Sequence, residues 1–264
     1  MRKRLFLGAS LFALSLSSHA QKVDFDMSGR QASEVCEPGF MSWAVKQGLA
    51  DTMRIAVNET DGFDIVINCG AESTANRSLR PQWNKALVTD ARKARLVGDA
   101  VAVLGSDGDG NTPELTSESA TINLVLKGMP AGSHSMLAYM NCVRNKQGAT
   151  APIDVLVDGT TVLTGVMMTN DAEIPSACGQ AYVEFDVAEG KDVTISFVSK
   201  PEAGVEYLST GIYLNGLVFD QPNPKTTALD PFPANADLHL NADEGSIVCL
   251  LYTSPSPRDR TRSR

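Results

Sequence analysis

Short stretches of alternating apolar and polar residues recur along this chain, with turn-forming residues between them. Phe63-Asp64-Ile65-Val66-Ile67 is one; Ile122, Leu124 and Leu126, spaced by Asn123, Val125 and Lys127, are another. Alternation with a period of two marks a half-buried strand. Val23-Asp24-Phe25 opens the series, and residues 133–141 form a further extended run. Residues 153–163 read as a hairpin, because Asp158-Gly159 suits the positive-φ positions of a type I′ turn between β-rich flanks. Residues 181–187 and 192–198 read as a second pair, joined by Ala188-Glu189-Gly190-Lys191. Residues 212–219 form the last strand, with Asn215-Gly216 inside it as a bulge or bend. The best helical spacing is in 81–95, through Trp83, Leu87 and Ala91. Many short strands with turns between them predict an all-β chain, a jelly-roll-like β-sandwich over residues 21–220.

Both ends read differently from this middle. Arg2, Lys3 and Arg4 precede a short apolar run, and Ser18-His19-Ala20 is a small-residue cleavage site, so 1–20 reads as a secretory signal peptide. Gln21 stands where a lipoprotein signal would need cysteine. No later stretch is apolar over the ~20 residues a bilayer span requires, so no membrane insertion is expected, and the mature chain is expected to be secreted, periplasmic or on the cell surface. Residues 221–236 are a Pro-rich linker, and 237–248 read as the first strand of a second domain. The run from Cys249 to Asp259 resembles a translated transposase sequencing adapter, so 249–264 is read as an artefact that truncates that domain.

Removing the three basic residues of 1–20, and the four basic and one acidic of 249–264, leaves 16 basic against 30 acidic residues, a net charge of −14. Such a surface repels phosphate backbones and anionic lipid, which excludes nucleic acid as a natural partner. Four cysteines remain: Cys36, Cys69, Cys142 and Cys178. An oxidising compartment permits two disulfides in any of three pairings, and buried free thiols are the alternative.

The reactive inventory is thin. His134 and His239 are the histidines of the mature chain, and there is no G-x-S-x-G, H-E-x-x-H or C-x-x-C. No catalytic residue is assigned. Asp107, Asp109, Asn111 and Glu118 fall at positions 1, 3, 5 and 12 of a calcium loop, and calcium is the one cofactor this spacing suggests. Thr112 stands where that loop needs glycine, which favours a plain Gly/Asp-rich loop. Trp43 and Trp83 lie outside the alternating strands, and a flat indole face is the usual platform for a sugar ring; core packing is the competing role.

Five strings, read in order, resemble malectin-like β-sandwich modules at the N-termini of secreted Bacteroidetes-type polysaccharide-degrading, pectate-lyase-like proteins. They are Val23-Asp24-Phe25, residues 94–101, Pro130-Ala131-Gly132-Ser133-His134-Ser135, residues 152–159, and Leu214-Asn215-Gly216-Leu217-Val218-Phe219-Asp220. The resemblance implies a non-catalytic carbohydrate-binding module, with a polysaccharide of plant cell-wall type as partner. It implies that 237–248 open a fibronectin type III-like domain, with a polysaccharide lyase or glycoside hydrolase further on. Arg95 and Asp99 become candidate sugar contacts, beside Trp43 and Trp83, by their place in the second string. A lyase or esterase domain and a structural spacer or adhesion module are the competing readings.

Overall fold

A computed structural model describes residues 21–57, 61–70, 78–104, 119–144, 148–170 and 172–224. The expected leader at 1–20, the calcium-like loop from Asp107 to Glu118, His239 and the second-domain start lie outside these residues. The chain divides into two compact units, Met1–Gln221 and Pro222–Arg264, and the fold below is that of the first.

The strands in chain order are β1 (Lys22–Asp24), β2 (Met41–Ser42), β3 (Ala50–Ala56), β4 (Gly62–Asn68), β5 (Arg80–Trp83), β6 (Asp99–Val103) and β7 (Thr121–Lys127). They continue as β8 (Gly132–Met140), β9 (Ile153–Val157), β10 (Thr160–Val166), β11 (Gly179–Val187), β12 (Val193–Ser199), β13 (Ile212–Leu214) and β14 (Gly216–Phe219). Among the described residues, helix is confined to two single turns, α1 (Ala32–Val35) and α2 (Lys85–Val88), and to 3-10 turns at Arg95–Val97 and Pro175–Ala177. One sheet runs β11-β8-β14-β1-β2, a second β10-β9-β12-β7-β4-β3, and a small third β13-β6-β5.

The alternation in sequence is what builds the interior. Phe63, Ile65 and Ile67 of β4, Ile122, Leu124 and Leu126 of β7, and Ile195 and Phe197 of β12 all leave the six-stranded sheet on one side. They share a single core with Met136, Ala138, Val183, Phe185 and Phe219 of the five-stranded sheet. Phe63 meets Phe219 edge to face across the gap, 5.3 Å between ring centres. Each such side chain contributes about 1.5–3 kcal/mol by leaving water. The chain is therefore an all-β sandwich, as its period-two pattern predicts. The 153–163 hairpin also forms as expected, with Asp158 at φ +46° and Gly159 at φ +80° between β9 and β10.

Two expectations are corrected. The 181–187 and 192–198 segments do not pair: β11 bonds to β8, and β12 bonds to β7 and β9 in the other sheet. Their connection crosses the sandwich, and both strands present an apolar face to the same core, so alternation alone cannot separate an in-sheet hairpin from a sheet-to-sheet arch. The helix over 81–95 is also not there. Arg80–Trp83 is a strand, paired to β6, and only Lys85–Val88 is helical. Pro81 is tolerated because β5 is an edge strand, where a missing N–H breaks no ladder.

Asn215 does more than bend a strand. It separates β13, in the small sheet, from β14, at the centre of the five-stranded sheet between β8 and β1. The next residue must be glycine: a Cβ at Gly216 would sit 2.5 Å from Leu96 Cδ1 and 2.8 Å from the Val23 carbonyl oxygen.

Cys36, Cys69, Cys142 and Cys178 are buried thiols that form no disulfide among the described residues. Burial pushes the Cys178 thiol up to about 12 and raises Cys142 as well. A Cys249→Ser variant purified without reductant is expected to titrate four thiols with Ellman's reagent once denatured, and almost none while folded. Fewer than four after denaturation would mean that disulfides form instead.

Candidate functional site

Val23 and Phe25 enter the core, so Asp24 and Asp26 point to the opposite side of the extended chain. On an open strand that side would be wet. Here the segment after Asp26 and the 3-10 turn at Arg95–Val97 fold over it. The Glu37 N–H donates to Asp24 Oδ2 at 2.6 Å, and the Met27 N–H donates to Asp99 Oδ2 at 2.8 Å. Asp24 and Asp99 are 0% exposed and Asp26 is 2% exposed. The ligating atoms of Asp24, Asp26 and Cys36 all lie within 4.8 Å of one another.

These carboxyls are short of partners. Asp24 Oδ1, both oxygens of Asp26 and Asp99 Oδ1 accept no hydrogen bond among the described residues. Burial, reinforced by Asp26 and Asp99, holds Asp24 well above the ordinary carboxyl range. Burial pushes Asp26 up to about 6, against the pull of the neighbouring Ser42 and Cys36 side chains and the Arg95 charge. Burial also pushes Asp99 up to about 8, with the Met27 N–H opposing it. Cys36 is driven to about 12 by burial and by the Asp26 and Asp24 charges, and its thiol donates to the Phe40 carbonyl at 3.4 Å.

Buried carboxylates are normally paired with a cation or fully hydrogen-bonded. Three orphaned oxygens of Asp24 and Asp26, with no described side-chain cation bonded to any of them, fit a hard divalent ion of the calcium type, which takes all-oxygen ligands. Cys36, protonated and turned to a carbonyl, would stand beside such an ion without ligating it.

Next to this cluster is a surface groove of about 190 Å³. Leu87 and Val88 give it an apolar wall; Glu34, Asp90, Lys93 and Arg95 give it donors and acceptors. The α2 turn is held by Asn84, whose side chain accepts from the Ala86 N–H at 3.0 Å. It packs so closely on the following turn that a Cβ at Gly98 would lie 2.7 Å from Val88 Cγ1.

The four residues named as sugar contacts are thus divided by the fold. Trp83 is 44% exposed, at the end of β5 immediately before Asn84, and Arg95 lines the groove. Trp43 is 6% exposed: its ring packs on Phe25 at 5.4 Å, and its indole N–H donates to Asp51 at 3.2 Å. Asp99 lies in register with Trp83 but turns inward to the carboxyl cluster. Asp24, Asp26, Cys36 and Glu37 do not stand out as site residues in the sequence. The D-x-D alternation at the start of the first strand is the available signal for the first two.

His134 is committed on both ring nitrogens, Nδ1 to Asp220 at 3.0 Å and Nε2 to the Pro130 carbonyl at 2.9 Å. The two adjacent serines bond elsewhere, Ser133 to Asp186 and Ser135 to the Gln221 carbonyl. Among the described residues no nucleophile–base pair forms around this ring.

No protein-family profile and no curated protein matches this chain. Solved structures match distantly. A family 35 carbohydrate-binding module from Clostridium thermocellum aligns at 14% identity and a TM-score of 0.29, over 54% of this chain and 99% of its own length. An exo-β-1,3-galactanase from Phanerochaete chrysosporium aligns at 16% identity and 0.29, over 58% of this chain and 28% of its own. A plant receptor-like kinase aligns at 10% and 0.30, over 60% and 50%.

Proposed function

We propose that this β-sandwich binds a carbohydrate at equilibrium without cleaving it, as the recognition module of a larger secreted polysaccharide-degrading protein. The observation that carries the reading is the groove beside Arg95, which joins an apolar wall to paired donors and acceptors on the surface of an all-β scaffold. That mixture suits a sugar ring, whose C–H face is apolar and whose hydroxyls both donate and accept. At about 190 Å³ the groove is below the ~300–1,000 Å³ of drug-sized sites, which suits one ring of a longer chain. Trp83, exposed on β5 outside the groove's lining, is the proposed stacking platform for a neighbouring ring; Arg95, Lys93, Glu34 and Asp90 supply polar contacts in the groove. Trp43 and Asp99 serve from beneath, the first as packing and the second as a charge beside a cation site formed by Asp24 and Asp26. When bound, the cation supplies the positive charge these carboxylates lack. Plant cell-wall polysaccharide is the partner proposed.

Affinity electrophoresis of the chain in gels of pectin, xylan and β-glucan tests this. Retardation in at least one gel is expected, and Trp83→Ala should abolish it while leaving the thermal midpoint in place. Free migration in every gel would overturn the reading in favour of a spacer. New reducing ends or unsaturated products would overturn it in favour of an enzyme.

A further inference from the structure

We propose that the carboxyl cluster governs the groove: a cation held by Asp24 and Asp26 fixes the wall that Arg95 and Glu34 present. The inference rests on the cation and carbohydrate readings above, and it adds a coupling between the two sites.

The connection is a short chain of hydrogen bonds. Asp24 Oδ2 takes the Glu37 N–H at 2.6 Å. The Glu37 side chain then turns the other way, and its Oε2 accepts the Arg95 N–H at 2.7 Å and the Leu96 N–H at 3.2 Å. Arg95 returns the contact, its Nη1 donating to the Ser33 carbonyl at 2.9 Å and the Cys36 carbonyl at 3.0 Å. One strap, residues 33–37, therefore touches both sites. Cys36 lies against Asp24 and Asp26, while Glu34, two residues earlier, lines the groove with Arg95.

Besides these bonds, the strap is held by one helical turn and by the buried Val35 and Cys36. The α1 turn is four residues long, its N-terminal flank Gln31 makes no side-chain cap, and Val35 is its buried residue. An isolated turn of that length is not stable alone. Its position depends on the Asp24–Glu37 and Glu37–Arg95 bonds, and the first uses a carboxylate that a cation would hold in place. A cation and a sugar both require the strap in one position. Whichever binds first bears the ordering cost, and the second binds more tightly for it. By linkage the factor is the same in both directions, and couplings of this kind are typically about 5–150-fold.

The test is hydrogen exchange on the whole chain, in millimolar calcium and in chelator, for the unaltered sequence and for Glu37→Ala. Calcium alone is expected to slow exchange about tenfold or more at the amides of residues 24–27 and also at 87–96. In Glu37→Ala, which keeps the backbone N–H on Asp24 but removes the acceptor of the Arg95 and Leu96 N–H groups, the protection at 24–27 should stay and that at 87–96 should disappear. Protection at 24–27 with no change at 87–96 in the unaltered chain would overturn the coupling while leaving the cation site standing. No calcium effect at 24–27 would overturn the cation reading, and the coupling with it. Equal slowing throughout the remote β9–β10 hairpin would also overturn it, because the effect would then be global stabilisation. In xylan gels, retardation should weaken at least fivefold in chelator. If xylan retards the chain equally with and without calcium, the coupling is wrong; if no gel retards it at all, the carbohydrate reading fails while the exchange result still decides the coupling.

Discussion

Replacing Asn215 with alanine is expected to lower the unfolding free energy by about 3 kcal/mol or more. Asn215 is fully buried, and all four of its polar groups are used. Its backbone N–H donates to the Tyr139 carbonyl and its carbonyl accepts from Phe25. Its side-chain oxygen accepts the Asn141 N–H, and its side-chain nitrogen donates to the Asp99 carbonyl at 2.7 Å. Alanine keeps the backbone bonds and strands two buried main-chain groups, each at about 1–3 kcal/mol. The half-exposed amide pair Asn123–Asn68, bonded at 3.0 Å, is the matched control, and Asn123→Ala should cost under about 1 kcal/mol. Urea melts measure both. At this size Asn215→Ala should lower the thermal midpoint by roughly 6–12 °C. A loss no larger than that of Asn123→Ala would show that water replaces the amide without penalty.

The second large effect is in the metal-free protein. The folded-state values of Asp26, about 6, and Asp99, about 8, lie above the unfolded carboxyl range, and Asp24 moves in the same direction. The folded chain thus holds protons that the unfolded chain has released. Above pH ~4, where unfolded carboxyls ionise, each such group takes stability away as pH rises, until its folded value is passed. In chelator the thermal midpoint is therefore expected to fall steadily from pH 5 to pH 8. The fall should be equivalent to several kcal/mol, because raising a folded carboxyl's pKa by one costs ~1.4 kcal/mol once the pH exceeds both values. Millimolar calcium should restore most of that loss at pH 8 and little at pH 5. Asp26→Asn should flatten the chelator profile between pH 5 and 6, which separates the cluster from general surface repulsion. A midpoint that rises toward pH 8 in chelator would contradict the account.

The strands are readable because burial on one face writes a period of two into the sequence, as in β4, β7 and β12. Their partners are not, since β11 and β12 carry the same pattern and lie in opposite sheets. The helical spacing of Trp83, Leu87 and Ala91 comes from residues with unrelated environments: Trp83 ends a strand, Leu87 is in the single helical turn, and Ala91 lies beyond it. At the site, the alternation of Asp24 and Asp26 is visible but points to solvent. Their burial depends on segments far along the chain, with Met27 bonded to Asp99 and Asp99 to Asn215. Trp43 follows the turn residues Pro38-Gly39 and so reads as a loop aromatic. In the fold, its backbone bonds to Asp24 on β1 and its ring joins Phe25.

The placement of β1 also fixes when this module can fold. Its in-sheet neighbours are β14 and the two-residue β2. The first strand to be synthesised therefore waits for almost the last, roughly 200 residues later, and β13 and β14 complete two sheets at once. At ~5–20 residues per second of synthesis, that is a delay of tens of seconds in which no N-terminal piece can close its own core. Contacts so distant in sequence make for slow closure in any case. Until residue 219 is made, the strand that pairs with both β1 and β8 is missing, and the five-stranded sheet stays open.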